Sequence, residues 1–242
     1  MPEKAISLVM PFPLTICLGF WRWHREHLRR SLESLVSIEC PVHLVIGDDE
    51  QVFDLLPPNL PVTVLSRPLT IWSRSFVLNE AARKAETPYL CFTDADMIFP
   101  SSWMPTVLSL LSPRRLLLTD SRDLTQGHPA EFDDESLLRA SRPHSRVGQG
   151  GGMVVSRDWF LEIGGFDEYY KIWGCEDNDL AGRALWDGLE TVWLPNTFVA
   201  HQEHARDWPT QEQFAYVERN RAYFLRTREE RQIVRNGGYL RW

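Results

Sequence analysis

Short apolar runs alternate with amphipathic stretches along the first hundred residues. Pro11 and Pro13 interrupt the first apolar stretch, so we expect a strand that ends there and a loop that extends to about residue 19. Four runs predict buried strands because each is short and continuous and is followed by polar, acidic or proline residues: 6–10, 42–46, 62–65 and 89–93.

Helices are predicted between these strands. Residues 21–37 place Leu28, Leu32 and Leu35 on one face, and residues 75–85 show a similar apolar face. The alternation predicts an α/β fold with a Rossmann-like, mostly parallel sheet and helices on both faces. In such sheets, ligands bind beyond the carboxyl ends of the strands.

The second half of the chain has a less regular pattern. Residues 126–144 are polar and charged and predict a long loop. Strands are predicted at 116–119, 153–156 and, as the last strand, 191–194, and helices at 158–163, 177–186 and 211–231. The length of 242 residues indicates a single domain, 1–242.

Composition narrows the class of protein. A hydrophobic content of 43% suffices for a sizeable core, and a net charge of −7 argues against nucleic-acid binding. The four cysteines lie far apart with no C-x-x-C, which favours a reducing compartment. Because the prolines break the N-terminal apolar stretch, no membrane span is expected. We therefore predict a cytoplasmic protein, either free in the cytoplasm or attached peripherally to the inner membrane.

Carboxylates collect where the predicted strands end. Asp48 and Asp49 follow the second strand, and Asp94 and Asp96 follow the fourth as a D-x-D motif. Parallel strands bring their carboxyl ends to one edge of a sheet, so these four acids are expected on one rim. They could instead cap the turns that follow the strands.

Two further segments carry candidate chemistry. His201, in Ala-His-Gln-Glu-His, adds an imidazole to the oxygen ligands, a set that suits Mn²⁺ or Mg²⁺. Glu176 and Asp177 begin a predicted helix behind Trp173, where one carboxylate could act as a general base. Acids at a helix start also serve as caps, and a histidine is often structural, so both alternatives remain open.

In their order along the chain, these motifs resemble the GT-A fold inverting glycosyltransferases, the family that includes chondroitin polymerase and galactosyltransferases of the lactose synthase type. The resemblance spans residues 5–205. It rests on segments with distinct chemistry: the opening strand to Pro11, the strand ending in Asp49, Ser73-Arg74-Ser75, Phe92-Thr93-Asp94-Ala95-Asp96, Gly151-Gly152-Met153, Trp173-Gly174-Cys175-Glu176-Asp177 and Ala200-His201.

The resemblance implies a role for each matching residue. Asp177 is the expected base, and Asp96 and His201 are the expected ligands of Mn²⁺ or Mg²⁺. Residues expected near the nucleotide are Pro11, Asp48, Asp49, Arg74 and Asp94, and those expected near the acceptor sugar are Gly151, Gly152, Trp173 and Glu176. By this resemblance, 1–100 is the nucleotide-binding half, 101–205 the acceptor-binding half and 206–242 a helical extension. Two positions depart from the family pattern: Cys175 replaces a glycine, and Phe198 replaces a methionine ligand.

The function implied is transfer of a sugar, with galactose or N-acetylgalactosamine favoured, from a UDP-sugar to a hydroxyl of a glycan or other acceptor. Two alternatives remain. One is a catalytically silent subunit that binds a nucleotide sugar. The other is a nucleotidylyltransferase, which would want a glycine-rich, basic phosphate loop, and residues 11–19 contain neither Lys nor Arg.

Overall fold

The computed structural model describes residues 12–21, 25–48, 51–125, 132–143, 151–204 and 210–238. The strand predicted at 6–10 lies outside these ranges, as do Pro11, Asp49 and residues 126–131 and 144 of the predicted loop. The described part of that loop contains a helix, Asp134–Arg139, and a strand, Ser141–Pro143, so the prediction of a continuous loop is wrong there. The elements in chain order are β1 (Leu14–Phe20), α1 (Arg25–Leu35), β2 (Val42–Ile46), β3 (Val62–Ser66), α2 (Arg74–Lys84), β4 (Tyr89–Asp94), β5 (Met97–Ile98), α3 (Trp103–Leu110), β6 (Arg115–Leu118), β7 (Ser121–Leu124), α4 (Asp134–Arg139), β8 (Ser141–Pro143), β9 (Met153–Ser156), α5 (Arg157–Glu162), α6 (Glu176–Trp186), β10 (Glu190–Trp193), β11 (Val199–His201) and α7 (Gln211–Glu229).

A seven-stranded sheet organises the molecule, in the order β10-β6-β9-β4-β1-β2-β3. Strands β3, β2, β1 and β4 are parallel, and β9 runs antiparallel to both of its neighbours. Leucines of α1 pack on one face of the sheet, and Val77 and Leu78 of α2 pack on the other. The predicted α/β fold with helices on both faces is confirmed.

The first described strand corrects one prediction. Leu14–Phe20 forms β1, inside the sheet between β4 and β2, where we expected a loop. A proline removes only its own N–H from the ladder, so a strand can begin directly after Pro13. The carbonyl of Pro13 already accepts a hydrogen bond from Tyr89 N at 3.0 Å. The prolines therefore precede this strand and do not replace it.

The second half contains elements that the pattern did not predict. The prediction that 191–194 holds the last strand is wrong, because β11 follows it and joins a second sheet in the order β5-β11-β7-β8. These strands have two to four residues each, too few to show a periodicity. Helices α3 and α4 were missed as well. Predicted helices α2, α5, α6 and α7 begin within one residue of their observed starts.

Helix α7 forms in the predicted C-terminal helical segment. Thr210 caps it, accepting a hydrogen bond from Gln213 N at 3.2 Å, while the Gln213 side chain accepts one from Thr210 N. Beyond the helix, Arg235 folds back and is buried against carboxylates of the main body. Within the described residues, no helix has the length and apolar character needed to cross a membrane.

Candidate active site

Sheet topology brings the predicted metal ligands together. Asp94 ends β4, and Asp96 directly precedes β5. Strand β11 pairs antiparallel with β5 in a register that sets His201 opposite Met97. The second sheet, which sequence reasoning did not find, therefore delivers His201 to the D-x-D motif.

Asp96 is the centre of a three-residue cluster. Its Oδ2 lies 3.3 Å from His201 Nε2 and 3.2 Å from His204 Nε2. One ligand atom from each of the three residues can be chosen so that all lie within 4.8 Å of one another. The other oxygen, Asp96 Oδ1, is buried and has no hydrogen-bond partner among the described residues. A partly buried carboxylate with an unused oxygen, beside two imidazoles, fits a divalent cation.

The charges in this cluster depend on one another. Burial alone would raise the pKa of Asp96, but hydrogen bonds from His201 and His204 hold it below its usual range. Burial opposes protonation of His201, yet its hydrogen bond to Asp96 and the nearby charges of Asp96 and Asp123 raise its pKa to about 9. In the absence of a metal ion, His201 thus carries a proton at neutral pH.

His204 is a ligand candidate that sequence reasoning did not select, although it noted the His-Gln-Glu-His spacing. The turn after β11 explains its position. Gln202 N and Nε2 both donate to the backbone oxygen of Asp96, at 3.1 and 3.2 Å, and Nε2 also donates to His27 O at 2.9 Å. This anchoring holds the chain beside Asp96 and brings the next histidine back to the same carboxylate.

Asp123 is a second residue that the sequence did not indicate. Strand β7 runs parallel to β11 with Asp123 opposite His201. Asp123 Oδ1 lies 3.4 Å from His201 Nδ1, so Nε2 is left to face Asp96. A carboxylate behind a metal-ligating histidine fixes the orientation of the ring.

Arg74 links the two acidic motifs. As the first residue of α2, it donates from Nε to Asp94 Oδ1 at 2.7 Å, and its Nη1 lies 3.9 Å from Glu176 Oε1. Burial would lower the pKa of Arg74, but the charges of Asp94 and Glu176 outweigh burial and raise it. Helices α2 and α6 thus begin next to each other, with a fixed cation between their motifs.

The two candidate catalytic acids differ in environment. Glu176 is 7% exposed, and its Oε2 has no hydrogen-bond partner among the described residues. Burial and the charge of Asp177 raise the pKa of Glu176 to about 7, although Arg74 opposes the shift. Asp177 is half-buried, and its Oδ1 accepts a hydrogen bond from Asn178 N at 2.8 Å.

The segment before α6 is called here the Trp173 loop (residues 170–175). Its residues 170–173 line a shallow depression together with Arg74, Ser75 and Glu176. The side chain of Trp173 is 46% exposed beside this depression. An exposed indole next to two acids offers a flat apolar surface of the kind that stacks on a sugar ring.

The predicted acceptor glycines have a packing explanation. Gly151 and Gly152 are buried, and a Cβ on Gly151 would overlap Ser121 Oγ. A Cβ on Gly152 would lie 2.9 Å from Thr119 Oγ1. Close packing thus favours glycine at both positions, and their role in acceptor binding stays a prediction.

The remaining nucleotide-side acid is Asp48. It is buried two residues after the end of β2, which lies two strands from β4 in the sheet order. Asp48, Asp94 and Asp96 therefore follow carboxyl ends of parallel strands on the same edge of the sheet. No structural statement applies to Pro11 and Asp49, which are outside the described residues.

Known proteins resemble this chain in sequence and in structure. A family model described as the N-terminal domain of galactosyltransferase matches residues 140–205. Polypeptide N-acetylgalactosaminyltransferase 8 of Drosophila melanogaster is 25% identical over 176 residues, covering 63% of this chain and 30% of that protein. The chain thus spans about a third of the length of such curated relatives.

Two solved structures share the architecture. GalNAc-T7 with UDP, GalNAc and Mn²⁺ matches with a TM-score of 0.65 at 15% identity, over 93% of this chain and 52% of that one. The mannosyltransferase PcManGT from Pyrobaculum calidifontis, in complex with GDP-Man and Mn²⁺, matches with a TM-score of 0.60 at 17% identity, over 91% and 64% of the two chains. The predicted GT-A fold of the glycosyltransferases is therefore confirmed, and the inverting mechanism stays a prediction.

Proposed function

We propose that this chain is a metal-dependent glycosyltransferase that moves a sugar from a UDP-sugar to an acceptor hydroxyl. The observation that carries the proposal is the convergence at one sheet edge of the Asp96–His201–His204 cluster and the Glu176–Asp177 pair, linked by Arg74 through Asp94. The names of the relatives support N-acetylgalactosamine as the sugar, ahead of galactose. The acceptor is proposed to be a glycan or another hydroxyl compound.

Asp96, His201 and His204 would hold Mn²⁺, and Asp123 would orient His201 from behind. When bound there, the cation would offset the negative charge that develops on the leaving diphosphate. Arg74 already neutralises Asp94, so this acid does not repel the diphosphate at full strength. Asp48 would contact the nucleoside from the end of β2.

We assign the general base to Asp177 and acceptor positioning to Glu176. Asp177 is the more accessible acid, and it would take the proton of the acceptor hydroxyl as that oxygen forms a bond to the anomeric carbon. The bond to the UDP oxygen breaks on the opposite face, which inverts the configuration. Glu176, with its pKa near 7, is partly protonated at neutral pH and could donate or accept a hydrogen bond with the acceptor.

The test measures UDP release and sugar transfer from UDP-N-acetylgalactosamine and UDP-galactose, with GDP-mannose as the comparison donor. We expect release that disappears in EDTA and returns with Mn²⁺. Asp96→Ala should abolish it, while Asp158→Ala, which removes an exposed carboxylate on α5, should not.

Other outcomes separate the alternatives. Nucleotide-sugar binding with no turnover on any acceptor would identify a silent subunit. Pyrophosphate formation from UTP and a sugar 1-phosphate would identify a nucleotidylyltransferase. Activity that survives exhaustive EDTA treatment would contradict the metal assignment.

A further inference from the structure

Helix α7 reaches the Trp173 loop through one buried amide. Asn220 is fully buried, and its Nδ2 donates to Lys171 O at 2.7 Å and to Trp173 O at 3.1 Å. Its Oδ1 is 3.5 Å from Lys171 N, at the limit of a hydrogen bond. A single side chain thus bonds the backbone on both sides of Ile172.

The backbone that Asn220 holds is strained. Ile172 has φ +66°, Gly174 φ +105° and Cys175 φ +74°. A β-branched residue at positive φ is rare, because its Cβ crowds the backbone. Such a conformation persists only where surrounding contacts over-determine it, and strain of this kind collects at functional sites.

The opposite side of the loop is held by the start of α2. Ile172 N donates to Trp72 O at 2.8 Å, and Ser73 Oγ donates to Tyr170 O at 3.0 Å. Two separate elements therefore fix the strained segment. One of them, α2, carries Arg74 on the nucleotide side, and the other is α7.

Helix α7 is itself well anchored where it meets the loop. One turn beyond Asn220, Tyr223 donates from its hydroxyl to Asp167 Oδ2 at 2.7 Å. Its ring stacks on Tyr169 with centroids 3.9 Å apart. The bond to Asp167 and the stacking on Tyr169 anchor the helix to residues outside the Trp173 loop, and the Tyr223 ring also packs edge-on against Tyr170 of that loop, with centroids 5.6 Å apart. Asn220 therefore donates from a helix that is anchored in part outside the loop that it bonds.

We propose that Asn220 is a positioning residue for the acceptor side of the site. Its two donated bonds keep the Trp173 loop in its strained form, which places the Trp173 indole and the start of α6, with Glu176 and Asp177, for the acceptor. The inference rests on the proposed function for its consequence in catalysis. Its structural part, that α7 holds this loop, stands independently of any activity.

The experiment compares Asn220→Ala and Asn220→Asp with the unmodified protein. Both variants remove the two donors, and each such bond contributes roughly 0.5–1.5 kcal/mol net. We expect faster amide hydrogen exchange at residues 171–175 and a rise of about tenfold in the KM for the acceptor. The affinity for UDP and Mn²⁺ and the KM for the donor should stay unchanged, because Asn220 touches neither motif.

Thr227→Val is the matched control. Thr227 is buried on the same helix, but among the described residues its hydroxyl bonds only carbonyls of α7, those of Tyr223 and Phe224. It should leave loop exchange and acceptor KM unchanged even if it lowers the melting temperature. If Thr227→Val raised the exchange rate at 171–175 and the acceptor KM as much as the Asn220 variants do, the effects of the Asn220 variants would come from general loosening of α7.

A rescue variant tests the strain directly. Glycine adopts positive φ without steric cost, so Asn220→Ala should raise acceptor KM less in an Ile172→Gly background than in the unmodified one. Additive effects of the two changes, or unchanged exchange at 171–175 in Asn220→Ala, would overturn the proposal. Faster exchange in a protein that shows no sugar transfer would leave the bracing role standing and would remove the proposed function.

Discussion

His204 changes the chemistry expected of the metal site. The sequence indicated one carboxylate and one imidazole, Asp96 and His201, whereas the structure adds a second imidazole. Nitrogen ligands favour Mn²⁺ and other transition metals over Mg²⁺, which prefers oxygen and water. Phe198, at the position of a methionine ligand in some relatives by resemblance, instead lies beneath the Arg122 guanidinium.

His204→Ala should therefore weaken Mn²⁺ binding. Loss of a residue that only orients a ligand typically costs about 10–100-fold in metal affinity, so loss of a direct ligand should cost at least as much. Calorimetric titration with Mn²⁺ measures the change. His43→Ala is the control, because His43 lies on β2 and its Nδ1 pairs with Ala81 O. Equal affinities in the two variants would remove His204 from the ligand set.

The protonation of His201 predicts how metal binding depends on pH. Without metal its pKa is raised to about 9, so a proton must leave before Nε2 can bind a cation. Raising the pH toward 9 removes this competitor, and the apparent Mn²⁺ affinity should increase by up to about tenfold per unit. Calorimetry in buffers of different ionisation enthalpy would also count the released proton. An affinity that does not change between pH 6 and 8 would contradict this picture.

One substitution distinguishes two roles of Asp177: general base in catalysis, and stabilisation of the start of α6. Its Oδ1 accepts a hydrogen bond from Asn178 N, which an asparagine Oδ1 can also accept. Asp177→Asn should thus keep stability and donor binding, while turnover falls by about 10²–10⁴, the usual worth of a general base. Single-turnover transfer assays measure the loss, with Asp158→Asn as control. Near-normal transfer would leave Asp177 as a capping residue only.

At the scale of single residues, the sequence indicated the chemistry but not all the partners. Residue type and position at a strand end singled out Asp94 and Asp96, and both lie at the expected edge. Asp123 and Asn220 gave no signal. Their importance comes from a register between strands and from a helix packing on a loop, and neither is encoded in a local pattern.

The long helices were predicted well, whereas the short strands of the second sheet were missed. Helices α2, α6 and α7 began at or next to the expected residue, since each spans eleven or more residues with clear start signals. Strands β5, β7 and β11 have four residues or fewer and depend on pairing within the second sheet. Strand β1 occupies residues where a loop was expected, because a strand can begin directly after a proline.

The backbone of Cys175, directly before α6, is strained, and a substitution should relieve this strain. Cys175 precedes the helix with φ +74°, a conformation that costs a non-glycine residue roughly 1–2 kcal/mol. Cys175→Gly should raise the free energy of unfolding by about 0.5–1 kcal/mol, because the greater freedom of glycine in the unfolded chain offsets part of the gain. Urea denaturation measures it. Asn196→Gly, at φ +57°, is the control and should gain less, since asparagine tolerates this region.

At the scale of the molecule, the parallel sheet explains why distant motifs share one site. Strands β1, β2 and β4 run in one direction, so the residues after them meet at one edge. This much followed from the alternating pattern. The approach of α6 to that edge did not, because α6 packs on β10 and α7 and its Asp179 pairs with Arg235 of the C-terminal segment, contacts that no local pattern specifies.

A buried ionic network fastens that C-terminal segment to the body of the protein. Arg235 Nε lies 2.9 Å from Asp167 Oδ2, and its Nη2 lies 3.0 Å from Asp179 Oδ1. Arg183 Nε approaches the other oxygen of Asp179 at 2.8 Å. Because Asp179 lies on α6, the ion pair with Arg235 connects the C-terminal segment directly to the helix that begins with Glu176.

Removing one partner from this network should destabilise the whole fold. Arg235→Met keeps most of the side-chain volume but leaves Asp167 buried without its cation, which typically costs about 3–5 kcal/mol. Urea unfolding should show that loss, whereas Arg139→Ala, which breaks an exposed pair on α4, should cost at most about 0.5 kcal/mol. Adding Asp167→Asn to Arg235→Met should restore part of the stability, because it removes the uncompensated charge. If the double variant is no more stable than Arg235→Met alone, the loss comes from packing of the C-terminal segment, and the ionic account is wrong.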